Sequence, residues 1–299
     1  MNTLLINEFK LHYADKSENT LKRYEKSVKE FYEFMVTKRG CQTEEEIVNK
    51  TDWSCCQMFR NGLIAKDLNP KTVNNYLSGL RTYFNFLVLT RHIEKNPFTQ
   101  VEQVSTKSVA EYDRPYIEGQ DFDKLIQTIQ TKVVGKKQDA FELTSTRDSL
   151  AVSILLTCGL RISELLNIKD GDIDENTGVL TVLGKGRKVR KVKIGTDNLT
   201  RLQEYLYVRK SYSKCDYLFV NRYGNKITPQ AMNKNSKKYL ERAGLNTDVS
   251  PHGLRHSCAT NYLQNEGVDI MQISKLLGHS NVQTTQIYAR VSDDLDFIK

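Results

Sequence analysis

No apolar run in these 299 residues approaches the roughly 20 that a membrane-crossing helix needs. The opening MNTLLINEFK lacks the charged start and apolar stretch of a secretion signal. The expectation is a protein that meets no membrane and stays in the cytoplasm. The six cysteines (Cys41, Cys55, Cys56, Cys158, Cys215, Cys258) form no CxxC pair, and adjacent Cys55 and Cys56 suit neither one bridge nor one tetrahedral metal. They read as reduced, mostly buried thiols. A GxxxxGK[ST] phosphate loop is missing too. So is the glutamate of HExxH, although His252 and His256 stand four apart, and no third ligand is obvious. No internal repeat or low-complexity tract is found. These absences argue against a loop-type nucleotidase and a zinc hydrolase, and no metal is expected.

What is present is a length sufficient for two domains with separate cores, and an ordinary 39% hydrophobic content. A net charge of +8 favours a polyanionic partner. The positive excess is spread over both halves, so both are suited to face DNA.

The first hundred residues carry helical periodicity. Ser17 to Thr20 offer caps before LKRYEKSVKEFYEFMV, where Leu21, Tyr24, Val28, Phe31 and Phe34 share one face as core. A second aromatic-rich helix follows Pro70 through VNNYLSGLRTYFNFLVL, and Asn96-Pro97 then stops the helical pattern. A polar, weakly periodic stretch then runs to Pro115 and reads as a linker. The expected organisation is a helical domain over 1–103, a linker over 104–114 and a second domain over 115–299. That second domain opens with helices in DFDKLIQTIQ and RDSLAVSILLTCG. Its period then changes: VLTVL and VRKVKI flank GKGRK as a β-hairpin, and DYLFVN reads as a further short strand. Thr228-Pro229 and Ser250-Pro251 each place a cap before a proline at the first helical position. The fold class is mainly α with a small β-sheet.

The chemistry points to Tyr288. A tyrosine hydroxyl, with a pKa of about 10, is a poor nucleophile unless its electrophile is charge-neutralised. His252, Arg255 and His279 supply that neutralisation for a phosphate, because guanidinium and imidazole N–H groups donate to the oxygens of a pentacoordinate transition state. His252 and Arg255 lie three apart at the positive end of the helix that Ser250-Pro251 starts. Gly278 ends a later helix, and Ser280 with Gln283 forms a capping box opening the next, which fixes His279 in a corner. Taken singly, HxxR also fits a capped helix with a solvated arginine, and a helical tyrosine is usually core. Arg161 follows Gly159 where one helix turns into another, with Glu164 placed to hold it; such a pair is often merely structural. The hairpin from Lys185 to Lys193 has six basic residues in nine and no acid. It is suited to grip a phosphate backbone, or is an edge protected by lysines.

TCGLRISELL, LGKGRKVRKVKI and HGLRHSCATNYLQNEGVDIMQISKLLGHSNVQTTQIYARV together resemble the tyrosine recombinase family, phage-type integrases and Xer-like site-specific recombinases. SENTLKRYEKSVKEFYEF resembles that family's N-terminal core-binding, SAM-like domain. The resemblance implies an N-terminal helical core-binding domain and a C-terminal α+β catalytic domain that clamp DNA. It implies that Arg161, Lys185, His252, Arg255 and His279 surround the scissile phosphate while Tyr288 attacks it, with Lys185 as general acid. Arg187, Lys188, Arg190 and Lys191 are expected to bind DNA. The resemblance further implies no cofactor and no ATP. Its partners are double-stranded DNA recombination sites, on which a homotetramer joins two duplexes, alone or with a second recombinase or accessory proteins. The role is integration or excision of a mobile element, transposition, or dimer resolution. The apolar tail residues Leu295, Phe297 and Ile298 are expected to dock on a neighbouring subunit. A type IB topoisomerase, or a non-catalytic DNA-binding regulator of the same fold, are the alternatives.

Overall fold

The computed structural model describes residues 4–105, 115–131, 139–184, 188–264 and 267–278. The chain divides into two compact units, 1–111 and 112–299. Among the described residues no helix is long and apolar enough to cross a membrane.

Among the described residues the first unit holds five helices: α1 (Leu4–His12), α2 (Glu18–Arg39), α3 (Glu44–Lys50), α4 (Trp53–Ala65) and α5 (Pro70–Leu89). Their starts are set locally. Ser17, Thr43, Asp52 and Asn69 each accept a backbone N–H of the helix they precede. The open end of α1 is satisfied from a distance, since the backbone N–H of Leu5 donates to Glu44 Oε2 at 3.1 Å. On α2, Val28 and Phe31 are buried as the spacing predicts, together with Tyr32 and Met35, while Leu21, Tyr24 and Phe34 are only half-buried. Phe31 lies against Phe59, Phe84 and Phe98 in edge-to-face contacts with ring centres 5.2, 5.9 and 5.2 Å away. α5 ends at Leu89, where the expected helical stretch after Pro70 ends, and the chain turns before it reaches Asn96-Pro97. Thr90 turns its hydroxyl back onto the Phe86 carbonyl and Arg91 takes a left-handed φ of 61°. Asn74 holds both backbone groups of Val104 at 2.8 Å, fastening the chain that leaves this unit.

The second unit comprises α6 (Gly119–Gln130), α7 (Asp139–Cys158), α8 (Ile162–Leu166), a 3-10 turn at Asp170–Asp172, β1 (Val179–Leu183), β2 (Val189–Lys193), α9 (Thr196–Arg209), α10 (Pro229–Arg242), α11 (Pro251–Gln264) and α12 (Ile270–Leu277). α7 is its axis. Leu150, Ala151, Val152, Ile154, Leu155 and Leu156 are all buried, because α6, α9, α10 and α11 pack around it. β1 and β2 form an antiparallel hairpin in which Leu183 faces Val189 and Val179 faces Lys193. Thr228 and Ser250 cap α10 and α11 as expected.

DYLFVN is not a strand: Tyr217 and Val220 make only single-residue bridges, to Lys169 and Lys226. Leu218, Phe219 and Val220 are buried, and much of their backbone is satisfied by side chains. Arg209 donates to the Tyr217 carbonyl, Tyr205 to the Leu218 carbonyl, and Arg147 to the Val220 carbonyl, at 2.7 to 2.9 Å. With its polar groups engaged this way, the segment is anchored without a neighbouring ladder.

Candidate active site

α7 ends at Cys158 and the chain reverses at Gly159, which has a φ of 60°. A Cβ there would stand 2.6 Å from a Leu277 methyl and 3.1 Å from the Cys258 sulfur. Only glycine allows both the left-handed turn and the close approach of α11 and α12. The turn delivers Arg161 to the N-cap of α8. Glu164, three residues on, accepts the Arg161 backbone N–H at 2.9 Å and pairs with its Nη1 at 2.7 Å.

Glu164 does more than hold Arg161. It is 6% exposed, and Arg190 from β2 grips both its oxygens, Nη1 to Oε1 at 3.0 Å and Nη2 to Oε2 at 2.8 Å. Arg255 Nη1 lies 3.9 Å from Oε2. Burial alone would push this carboxyl up. The hydrogen bonds from Arg190 and Arg161 outweigh that and hold it down at about 2. One carboxylate therefore stands among three guanidinium groups, and the cluster is net positive.

Arg255 is 1% exposed. Its Nη1 donates to the Gly159 carbonyl and its Nη2 to the Leu277 carbonyl, each at 2.7 Å. It thus fastens the α7–α8 turn to the end of α12. The side chain of Arg161 is 37% exposed, so it faces solvent from the same cluster.

His252 and Arg255 do not share a depth, although they lie three apart: His252 is exposed in the first turn of α11 and Arg255 is buried. One turn beyond His252, His256 packs its ring on Tyr116 with centres 4.3 Å apart. Burial, then the neighbouring His252, lower its pKa to about 4. His256 is therefore neutral at pH 7.

On the hairpin, Lys188, Lys191 and Lys193 are exposed. Arg190 turns inward instead, its side chain 14% exposed. Reading the expected DNA-gripping strand by charge count missed this. Strand alternation could have found it, since Arg190 shares its face with buried Val192. Lys185, Arg187, His279, Tyr288 and the tail residues Leu295, Phe297 and Ile298 lie outside the described residues.

The model of the phage integrase family matches residues 115–294, and that of the phage integrase N-terminal SAM-like domain matches residues 6–91. The chain belongs to the phage integrase family. Among family members, the tyrosine recombinase XerD of Listeria innocua is 30% identical over 281 residues, covering 92% of this chain and 89% of that protein. The tyrosine recombinase XerC of Oceanobacillus iheyensis is 31% identical over 284 residues, covering 93% and 87%. Solved structures of the same fold include the XerH site-specific recombinase bound to its palindromic difH substrate after cleavage, with a TM-score of 0.72 at 21% identity over 93% of this chain and 79% of that one. The Tn1549 transposon integrase in complex with transposon right end DNA gives a TM-score of 0.66 at 21% identity, covering 98% of each chain. The family match spans every candidate site position from Arg161 to Tyr288.

Proposed function

We propose that this protein is a site-specific tyrosine recombinase, which cleaves duplex DNA through a 3′-phosphotyrosyl link and exchanges strands between two sites. The observation that carries the reading is the joining of Arg161 and Arg255 around Glu164, in a chain of the phage integrase family. Two arginines far apart in sequence are held at one place with a positive excess. This is what a phosphate gaining negative charge in its transition state requires.

In this reading the Tyr288 oxygen attacks phosphorus, the phosphorus–O5′ bond breaks, and Lys185 delivers a proton to the departing 5′-oxygen. Arg161 and Arg255 neutralise the non-bridging oxygens, His279 donates to one of them, and His252 assists removal of the tyrosine proton. The new ester keeps the free energy of the old one, so a 5′-hydroxyl from the second duplex can rejoin the strand without ATP. Lys188 and Lys191, exposed on the hairpin, hold the backbone by charge. The partners are double-stranded recombination sites, on which four copies assemble across two duplexes in the cytoplasm, to move an element or resolve a dimer. The apolar tail around Phe297 links neighbouring subunits. The recombinase names of the relatives favour this reading over a topoisomerase or a silent regulator.

The test is covalent trapping on a nicked site. The protein as it stands should give an SDS-resistant adduct in the presence of EDTA and without ATP. Tyr288→Phe should bind the DNA and give none. An adduct formed by the Phe variant would assign the nucleophile elsewhere.

A further inference from the structure

The hairpin has two faces, and the fold accounts for only one of them. On the inner face Leu180, Val182 and Val192 are buried, and Arg190 is committed to both Glu164 oxygens and, from Nε at 2.9 Å, to the Leu276 carbonyl. These contacts fix the ribbon, so it cannot roll over to bury its other side. On the outer face Leu183 and Val189 stand directly opposite each other in the pairing register, and each is 63% exposed. Residues paired in this way have β-carbons about 4.5 to 5.5 Å apart. The two side chains therefore form one continuous apolar spot.

Lysines frame that spot. Lys188 adjoins Val189 in the chain, and Lys191 and Lys193 follow on the same outer face of β2, all three exposed. Neither strand carries an acid. Protection of a sheet edge explains the lysines, which keep such a strand from pairing with another chain. It does not explain two large apolar side chains beside them, because these work against the protection. An apolar centre in a cationic frame matches the wall of a DNA duplex, where the apolar faces of deoxyribose rings lie between phosphates. The spacing agrees. Lys191 and Lys193, two residues apart, are separated by about 7 Å along the strand, the axial rise of about two nucleotides in one DNA strand.

We propose that the outer face of the hairpin is a DNA-docking surface, on which Leu183 and Val189 pack against deoxyribose rings of one strand while Lys188, Lys191 and Lys193 pair with the phosphates around them. The proposal deepens the recombinase reading and rests on it. Its first consequence is a binding contribution that salt does not screen, because apolar contact releases no counterions. Its second is indifference to base sequence, because the sugars carry none of it. The face thus holds the hairpin on the duplex and leaves the choice of site to other parts of the chain.

The experiment measures equilibrium binding of the full chain to a mixed-sequence duplex over about 50 to 200 mM salt. Leu183→Ala combined with Val189→Ala should weaken binding about tenfold at every salt concentration, the order expected for withdrawing two partly buried side chains. The slope of log affinity against log salt should stay as it is. Leu183→Val with Val189→Ile, which keeps the spot apolar, should bind within about twofold of the unaltered protein. Lys191→Ala and Lys193→Ala should each reduce the slope by about 1. Unchanged affinity in the alanine pair would overturn the proposal and leave the spot to a protein partner. A shallower slope in that pair would overturn it too, since the apolar residues would then act only by placing the lysines. Unchanged slopes in both lysine variants would remove the cationic frame. Both apolar side chains are exposed, so the alanine pair should keep the urea midpoint of the unaltered protein. If it does not fold, Leu183→Thr with Val189→Thr, which keeps strand propensity, carries the same comparison. Failure of the recombinase reading is seen separately, as absence of an SDS-resistant adduct from the unaltered protein on a nicked site, a result the binding comparison does not use.

Discussion

In the N-terminal unit the centre is aromatic. Phe31 lies among Phe59, Phe84 and Phe98, and Phe9 meets Tyr83 and Phe86 edge to face, with the Tyr32 and Tyr83 hydroxyls bonded at 2.5 Å as a buried polar pair. In the C-terminal unit an aliphatic core surrounds α7, and charge is buried beside it: Glu164 with Arg190 and Arg255, Arg147 with Asp148, and Arg209, which reaches out to the exposed Asp170. Apolar burial stabilises a fold directly, whereas burying ions costs desolvation that their attraction only partly offsets. A buried ion cluster is therefore a poor explanation of stability. The group around Glu164, which includes Arg161 and Arg255 of the candidate phosphate site, fits a positioning role, in which guanidinium groups are held in fixed directions before the substrate arrives.

That contrast can be broken experimentally. The largest effect should come from Glu164→Gln, which removes the negative charge and leaves three guanidinium groups facing one another. Breaking a buried ion set from one side costs about 3 to 5 kcal/mol, and cleavage should fall by on the order of a hundredfold or more beyond any loss of folded protein. Single-turnover rates corrected for the folded fraction check this. Phe31→Ala should cost a comparable 3 to 5 kcal/mol, about what an emptied aromatic site costs, yet leave the corrected cleavage rate unchanged. Trp53 on α4 is the sole tryptophan and lies in the first unit, so its fluorescence in a urea titration reports that unit's loss. If both variants lowered the corrected rate equally, the division of labour would be wrong.

A smaller effect concerns pH. His256 is held at about 4 in the folded chain against an ordinary value of 6.5. The unfolded chain therefore binds the proton first as pH falls. The contribution is complete above pH 6.5 and is lost progressively down to about 4, up to about 3 kcal/mol in total. His256→Phe, which keeps a ring against Tyr116, should flatten the fall of the urea midpoint in that window. Equal slopes for both proteins would count against the burial of a neutral histidine. Glu164 acts lower, its contribution being lost only from about pH 4.5 towards 2.

Much of the fold is legible in the sequence because helix starts are local events. Ser17, Asn69-Pro70, Thr228-Pro229 and Ser250-Pro251 carry their own caps or pre-set dihedrals, and each opens a helix where the sequence indicates. The hairpin is legible from its change of period. DYLFVN misleads because an apolar run signals burial without saying which groups will satisfy its backbone, and here distant arginines and a tyrosine do so. At the site, Arg161 and Glu164 are close in sequence and their pairing follows from helix-cap geometry. The depth of Arg255 and the partners that Arg190 meets depend on Gly159, Leu276 and Leu277 arriving from elsewhere, which no local pattern contains. Counting six basic residues on a hairpin treats all of them alike, whereas strand alternation separates Arg190 from the exposed Lys191 and Lys193.

The central claim, that Arg161 and Arg255, joined around Glu164, form the clamp for the scissile phosphate, is tested most directly at Arg161. Its side chain is more than one-third exposed, whereas Arg255 is fully buried and holds two backbone carbonyls, so Arg161→Ala removes a donor with the least disturbance of the fold. The measurement is the single-turnover rate of covalent adduct formation on a nicked site at saturating protein, beside the binding affinity for the same DNA. The account predicts a rate lower by about a hundredfold or more with affinity little changed. A rate within about threefold of the unaltered protein, well short of the loss of one transition-state donor, would contradict it.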